Sequence, residues 1–173
     1  MLAGGVIAYP TEAVFGLGCL PENRSAVGRV LAIKRRSWRK GLLLIGSDLA
    51  QLEQLVVLPP EPRRSEIVAS WPGPVTWVLP ARPHVPRWLT GGRDTIGVRL
   101  TDHPVAARLC ARVGQAIVST SANVSRRPPL RAARLVRRKL GAAVDYVLAG
   151  EVGGLGQPTM IKDGRTGRIL RGR

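Results

Sequence analysis

Three short runs of polar side chains sit where apolar, β-branched stretches end. Thr11 and Glu12 follow GVIAY at 5–9, Thr101 and Asp102 follow TIGVRL at 95–100, and STSAN at 119–123 follows AIV at 116–118. In α/β folds the ligand crevice lies beyond the carboxyl ends of strands, so all three runs are candidates for the wall of one crevice. Lys34, Arg35 and Arg36 close a helical stretch and could bring cations to the same place. Such residue types bind and stabilise charge rather than attack. Ser119, Thr120 and Ser121 lack the GxSxG elbow and the paired histidine and acid that a serine hydrolase needs, so they read as binding hydroxyls. Each of these residues also has an ordinary use. The helix dipole favours cations at a helix C-terminus, Asn123 suits a turn, and Thr11 suits a cap.

The motif search excludes several chemistries. Neither GxxxxGK[ST] nor GxGxxG occurs, although GLG at 16–18 and GGLG at 153–156 resemble fragments of them. Two histidines, His84 and His103, with no HExxH and no CxxC, leave no basis for a metal caged by protein ligands. Two cysteines are too few for a disulfide framework, and free thiols suit a reducing compartment. No apolar run approaches the roughly 18 residues needed to span a bilayer, and the first residues lack the basic flank and cleavage site of a signal peptide. The expected location is the cytoplasm.

Charge is the loudest compositional signal. Lys and Arg number 27 against 11 Asp and Glu, a net +16, and all but four of the cations are arginine. That balance points to a polyanionic partner or substrate. Within 103–144 there is no acidic residue at all. On a helical wheel after Pro129, Ala132, Ala133, Val136 and Leu140 share one side while Arg131, Arg134 and Arg138 share another. This face can be an RNA-phosphate surface or simply a solvated one, and the sequence leaves both open.

The elements that must position these residues alternate between strand and helix patterns. Apolar runs at 5–9, 42–46, 75–79, 95–100, 116–119, 145–149, 159–163 and 168–171 read as strands. Helix candidates lie near 24–35, 48–56, 61–70, 103–113 and 130–140, with Ser47 as N-cap of the second. The last two strands are separated only by a turn at 164–167, which requires an antiparallel pair and hence a mixed sheet. Residues 80–94, PARPHVPRWLTGGRD, form the longest irregular stretch and read as a shaped surface loop. The length of 173 residues fits one α/β domain.

Six ordered segments resemble the YrdC-like (TsaC) family of threonylcarbamoyl-AMP synthases, in its short bacterial form. They are AYPTEAVFGLGC at 8–19, AIKRR at 32–36, KGLLLI at 40–45, SWPGPVTWVLPA at 70–81, RWLTGGRDTIGVRLTDHP at 87–104 and VSTSANVS at 118–125. The resemblance implies a twisted, mostly mixed sheet with flanking helices around a concave basic cavity. It also implies an ATP-dependent condensation of L-threonine with bicarbonate or CO₂, releasing pyrophosphate. The resulting adenylate would serve a partner transferase complex that modifies tRNA beside the anticodon. Mg²⁺ would accompany ATP, held mainly by its phosphates.

By motif, the family's K-x-R corresponds to Lys34 and Arg36 and its S-x-N to Ser121 and Asn123, a tetrad implied around ATP and its phosphates. Thr95 and Arg171 match further nucleotide contacts. Thr11, Arg99, Ser119 and Thr159 match contacts to threonine and the carbamate. The chain departs from the family pattern at Ser37, where proline is common, at Arg126, where glycine is usual, and at Ala13, where longer forms carry a second threonine. Only Met1 to Gly4 precede the first strand, so the resemblance implies that the family's N-terminal helix is missing. The competing expectation is a non-catalytic RNA-binding module of the same fold, using Arg131, Arg134 and Arg138.

Overall fold

The fold was described from a computed structural model, which describes residues 1–157 and 159–172. Among the described residues nine strands form one sheet: β1 (Ile7–Pro10), β2 (Phe15–Gly18), β3 (Leu43–Gly46), β4 (Val75–Pro80), β5 (Thr95–Leu100), β6 (Ile117–Ser121), β7 (Tyr146–Val147), β8 (Met160–Asp163) and β9 (Ile169–Arg171). Their order is β7-β1-β2-β6-β3-β5-β4-β8-β9. The sheet is mixed. β1/β7, β3/β5 and β4/β8 are parallel and the other neighbours antiparallel, including the closing β8/β9 pair. Strand β6 joins the halves, since Leu17 faces Thr120 on one side and Leu43 faces Ser119 on the other.

The helices are α1 (Arg24–Lys34), α2 (Leu49–Glu53), α3 (Arg63–Ala69), α4 (Arg87–Thr90), α5 (Pro104–Val113) and α6 (Ala133–Leu140). Strand periodicity divides their work, because alternate side chains point to opposite faces. On one face Val6, Ala8, Val118, Val98, Ile96, Trp77 and Leu79 join the main core with Val27 and Val30 of α1 and Val136 and Leu140 of α6. On the other, Ile7, Tyr9, Ile45 and Ile117 pack beneath Ala106 and Cys110 of α5. Helix α5 covers only part of that face. The uncovered remainder, where Gly97, Arg99, Ser119, Thr76 and Val78 project, is the floor of the cavity described below.

Several local expectations change. The fragment GLG at 16–18 lies in β2, a strand the sequence pattern hides because two glycines break the alternation. Gly18 makes room for its neighbours, while Gly16 lines the cavity described below. A Cβ on Gly18 would stand 2.7 Å from both the Tyr9 ring and the Val118 carbonyl. Helix α2 is capped by Asp48, whose Oδ1 accepts from Gln51 N at 2.9 Å, not by Ser47. The loop at 80–94 contains the α4 turn, which buries Leu89. Helix α6 starts at Ala133, so Arg131 and Ala132 stand outside it, and Ala132 is exposed rather than part of the apolar side. No helix among the described residues is long and apolar enough to cross a membrane.

Candidate active site

Lys34 reaches the cavity because of its place on α1. Asn23 caps the helix, its Oδ1 accepting from Ala26 N at 2.9 Å. The buried stripe of Ala26, Val27 and Val30 continues to Lys34 one turn later, so the last helical side chain points inward. Arg35 then adopts a left-handed conformation with φ of 47°. That bend sends Arg36 along the cavity wall, where its Nη2 donates to Lys40 O at 3.3 Å and Gly41 O at 3.0 Å.

The strand β6 brings Ser119 and Ser121 to the same face two residues apart, and Asn123 follows in the turn. Lys34 Nζ donates to Asn123 Oδ1 at 2.8 Å, Asn123 O at 3.2 Å and Ser121 Oγ at 3.3 Å, and also to the Ser121 carbonyl. Ser121 Oγ donates to Asn123 Oδ1 at 2.7 Å. Only 3% of Lys34 is exposed. Burial, helped by Arg36, lowers its ammonium to about 8. Asn123 is therefore more than a turn residue.

The cavity has a volume of about 710 Å³, within the usual range for a small-molecule site. Lys34, Arg36, Thr95, Ser121, Asn123 and Arg171 all line it, and so do Thr11, Arg99, Ser119 and Thr159. Alternation in β5 brings Thr95 and Arg99 to this face with Gly97 between them. The β8/β9 register sets Arg171 opposite Ile161 and near Thr159, whose carbonyl accepts from Arg171 Nη2 at 3.4 Å. Thr11 uses its hydroxyl to bond Val14 O at 2.6 Å, closing the β1–β2 turn.

Three more cations, Lys40, Arg93 and Arg126, complete the wall. Sequence reasoning missed Arg93, which comes from the end of the 80–94 loop. Its signal was the GGRD turn, where Gly91 and Gly92 take positive φ values of 70° and 82° and let the chain double back on the 37–42 loop. Among the described residues, the lining holds seven Lys or Arg and no Asp or Glu. The Arg36 guanidinium is held below its ordinary range by burial and then by Arg171 and Arg93. Arg171 is lowered likewise by burial and by Arg99. Cations pressed together in this way await an anion. Arg36 Nε and Arg99 Nε are both buried without an acceptor.

Four sequence candidates, Glu12, Arg35, Thr101 and Asp102, are not among the lining residues. Thr101 is buried beside the floor, donating to Glu12 Oε1 at 2.6 Å, and Asp102 is exposed and does not line the wall. The basic face is also separate from the cavity. Arg134 and Arg138 are exposed on α6, whereas Arg131 donates to the carbonyls of Leu155 at 3.2 Å and Gly156 at 3.4 Å. Arg131, itself exposed, thereby also holds the 151–157 segment, whose Gly153 and Leu155 amides bond Thr11 O and Glu12 O. No group of three or more His, Cys, Asp or Glu able to hold a metal occurs among the described residues.

A family model named for Sua5, YciO and YrdC, described as "Telomere recombination", matches residues 1–172. The chain belongs to the Sua5/YciO/YrdC family. This family member is 55% identical over 168 residues to the protein named threonylcarbamoyl-AMP synthase of Halorhodospira halophila (strain DSM 244 / SL1), covering 97% of this chain and 88% of that one. Among solved structures it resembles P. abyssi Sua5 complexed with L-threonine, with a TM-score of 0.90 and 32% identity over 98% of this chain. It spans 50% of that Sua5 chain. E. coli YciO superposes with a TM-score of 0.86 and 27% identity, covering 98% of this chain and 84% of that one.

Proposed function

We propose that this chain is a threonylcarbamoyl-AMP synthase, a nucleotidyltransferase that joins L-threonine, bicarbonate or CO₂ and ATP and releases pyrophosphate. One observation carries the reading. All ten residues picked out by motif for nucleotide and threonine line a single cavity whose wall bears seven cations and no acid.

The chemistry requires such a wall. N-carboxy-threonine is a dianion that must approach the α-phosphorus of a triphosphate, so two anions have to be brought together. Lys34 and Arg36, steadied by Ser121 and Asn123, sit where they can neutralise phosphoryl oxygens and the departing pyrophosphate. Thr95 and Arg171 would hold the rest of the nucleotide, and Arg99, Ser119, Thr159 and Thr11 the threonine and its carbamate. Thr11 would do so with its methyl and its hydroxyl oxygen as acceptor, its hydroxyl proton and amide being committed to Val14 O. Among the described residues no carboxylate lines this wall, so the phosphates would carry Mg²⁺.

No general base is needed if the carbamate forms from neutral amine and CO₂, its proton passing to solvent or phosphate. Hydrogen bonds to the substrate hydroxyl would reject valine by leaving polar groups unpaired. Serine, lacking one methyl, would be refused by only about 1–3 kcal/mol and is the expected error. The reading assigns the enzyme to the cytoplasm, with a threonylcarbamoyl-transferase complex and tRNA downstream. Arg134 and Arg138, solvent-facing in a segment without acids, are the candidates for the RNA contact.

The test is bicarbonate- and threonine-dependent release of pyrophosphate from ATP by the purified chain. Absence of release at saturating substrates would remove the catalytic reading and leave the RNA-binding one.

A further inference from the structure

Among the described residues, Glu12 is the one acidic side chain paired with a cation of the cavity wall, Arg99. Its Oε2 lies 2.9 Å from Arg99 Nη2, and both side chains are at most 7% exposed. Its Oε1 accepts from Thr101 Oγ1 at 2.6 Å, and Thr101 Oγ1 in turn accepts from His103 N at 3.3 Å. The carboxylate is thereby tied to the entry of α5, beside the cavity on the same face of the sheet as Arg99. Its main chain is pinned as well. Leu155 N donates to Glu12 O at 3.2 Å, and a Cβ on Gly153 would stand 2.6 Å from that same oxygen.

A buried carboxylate in this place adds an attraction that a merely structural residue would not need. Arg99 has five N–H donors. The contact with Glu12 is a charge pair at Nη2 without hydrogen-bond alignment, and Arg99 Nε is buried with no acceptor. Glu12 thus fixes where the guanidinium sits while leaving donors turned to the cavity. A second consequence is electrostatic. With Arg171 close enough to feel its charge, Arg99 would be pushed outward by like charges if it had no counter-ion.

We propose that Glu12 is a positioning residue: tethered by Thr101, it holds Arg99 at the cavity floor so that the arginine's free donors grip the carboxylate or carbamate of the amino-acid substrate rather than drifting toward the triphosphate. The inference deepens the synthase reading and rests on its assignment of Arg99 to the threonine half of the site. It gives Glu12 opposite effects on the two substrates. Loss of its charge loosens the grip on threonine, and it also leaves one more uncompensated cation to attract phosphate.

The experiment measures calorimetric titrations of L-threonine and of ATP against the full chain, for wild type, Glu12→Gln and Thr101→Val. For Glu12→Gln, threonine affinity should fall about tenfold, the effect of one misplaced charge-assisted hydrogen bond. ATP affinity should hold or rise, with a steeper dependence on salt. Thr101→Val keeps the charge pair but frees Oε1, and should weaken threonine by about threefold at unchanged ATP affinity. This second variant keeps the idea refutable if Glu12→Gln does not fold, because it leaves no charge unpaired. Equal weakening of both ligands in either variant, or unchanged threonine affinity in Thr101→Val, overturns the proposal. If wild type binds ATP but no L-threonine, the synthase reading itself fails. If wild type binds both and the variants match it, only the role of Glu12 falls.

Discussion

Replacing Lys34 with methionine should make the protein more stable while removing its affinity for ATP. The ammonium is 3% exposed, and its ordinary value of 10.5 falls to about 8, chiefly through burial and secondarily through Arg36. At about 1.36 kcal/mol per unit, holding it charged at this buried place costs about 3 kcal/mol. Methionine fills a similar volume without charge. It also deprives Asn123 Oδ1, Asn123 O and the two Ser121 oxygens of a donor, a loss of about 1–2 kcal/mol at a cavity that water can enter. The net gain near pH 7 is therefore about 1–2 kcal/mol, or roughly 2–6 °C in melting temperature for a domain of this size.

The pH dependence has a defined sign. The folded value of about 8 lies below the unfolded 10.5, so between them the unfolded chain binds more protons. Wild type must gain stability through that window as the cost of the charge disappears. Lys34→Met has no such gain. Cys19 and Cys110, raised by burial to about 12 from 9, act in the opposite direction but equally in both proteins, so the difference curve isolates Lys34. Urea melts at pH 7 and pH 10 in a buffer free of phosphate would show the advantage of the variant shrinking and then reversing. Parallel stability curves for the two proteins would refute the reasoning, and so would undiminished ATP binding by the variant.

Other outcomes follow from the same structure. Arg36→Ala, which removes a side chain bonded to Lys40 O and Gly41 O, should lower the rate of pyrophosphate release by at least about a hundredfold with the melt unchanged; steady-state kinetics beside a thermal scan check this. Gly153→Ala would set a methyl 2.6 Å from Glu12 O, lifting the segment that leads to Thr159, so the KM for threonine should rise at nearly constant KM for ATP. Joint replacement Arg134→Glu/Arg138→Glu should abolish salt-sensitive RNA binding in a filter assay and leave pyrophosphate release intact. Cys19 and Cys110, both buried with raised thiol values, should resist a thiol reagent at pH 8 in the folded chain and react at once in denaturant.

Much of the site was legible where its residues obey a local period. Lys34 extends the buried stripe of α1, Ser119 and Ser121 alternate with Val118 in β6, and Thr95 and Arg99 alternate with Ile96 and Val98 in β5. Periodicity alone fixes which way such side chains face, and the ordered motifs then pointed to a family. Strand β2 was not legible, because its glycines answer to the Tyr9 ring and the Val118 carbonyl, which arrive from other strands. Nor were the contacts of Arg131 legible, because its carbonyl partners lie more than twenty residues away.

Composition, motif order and side-chain alternation thus determined a mixed α/β sheet and the kind of anion it would hold. Tertiary structure decided what no local pattern contains: that α5 covers only half of one sheet face, that the 80–94 loop returns Arg93 to the wall, and that Glu12 meets Arg99 across 87 residues of chain. The physical reason is that pairing and burial depend on strand register between distant segments. The sign and strength of a charge in the cavity depend on those neighbours, not on the residue's own place in the chain.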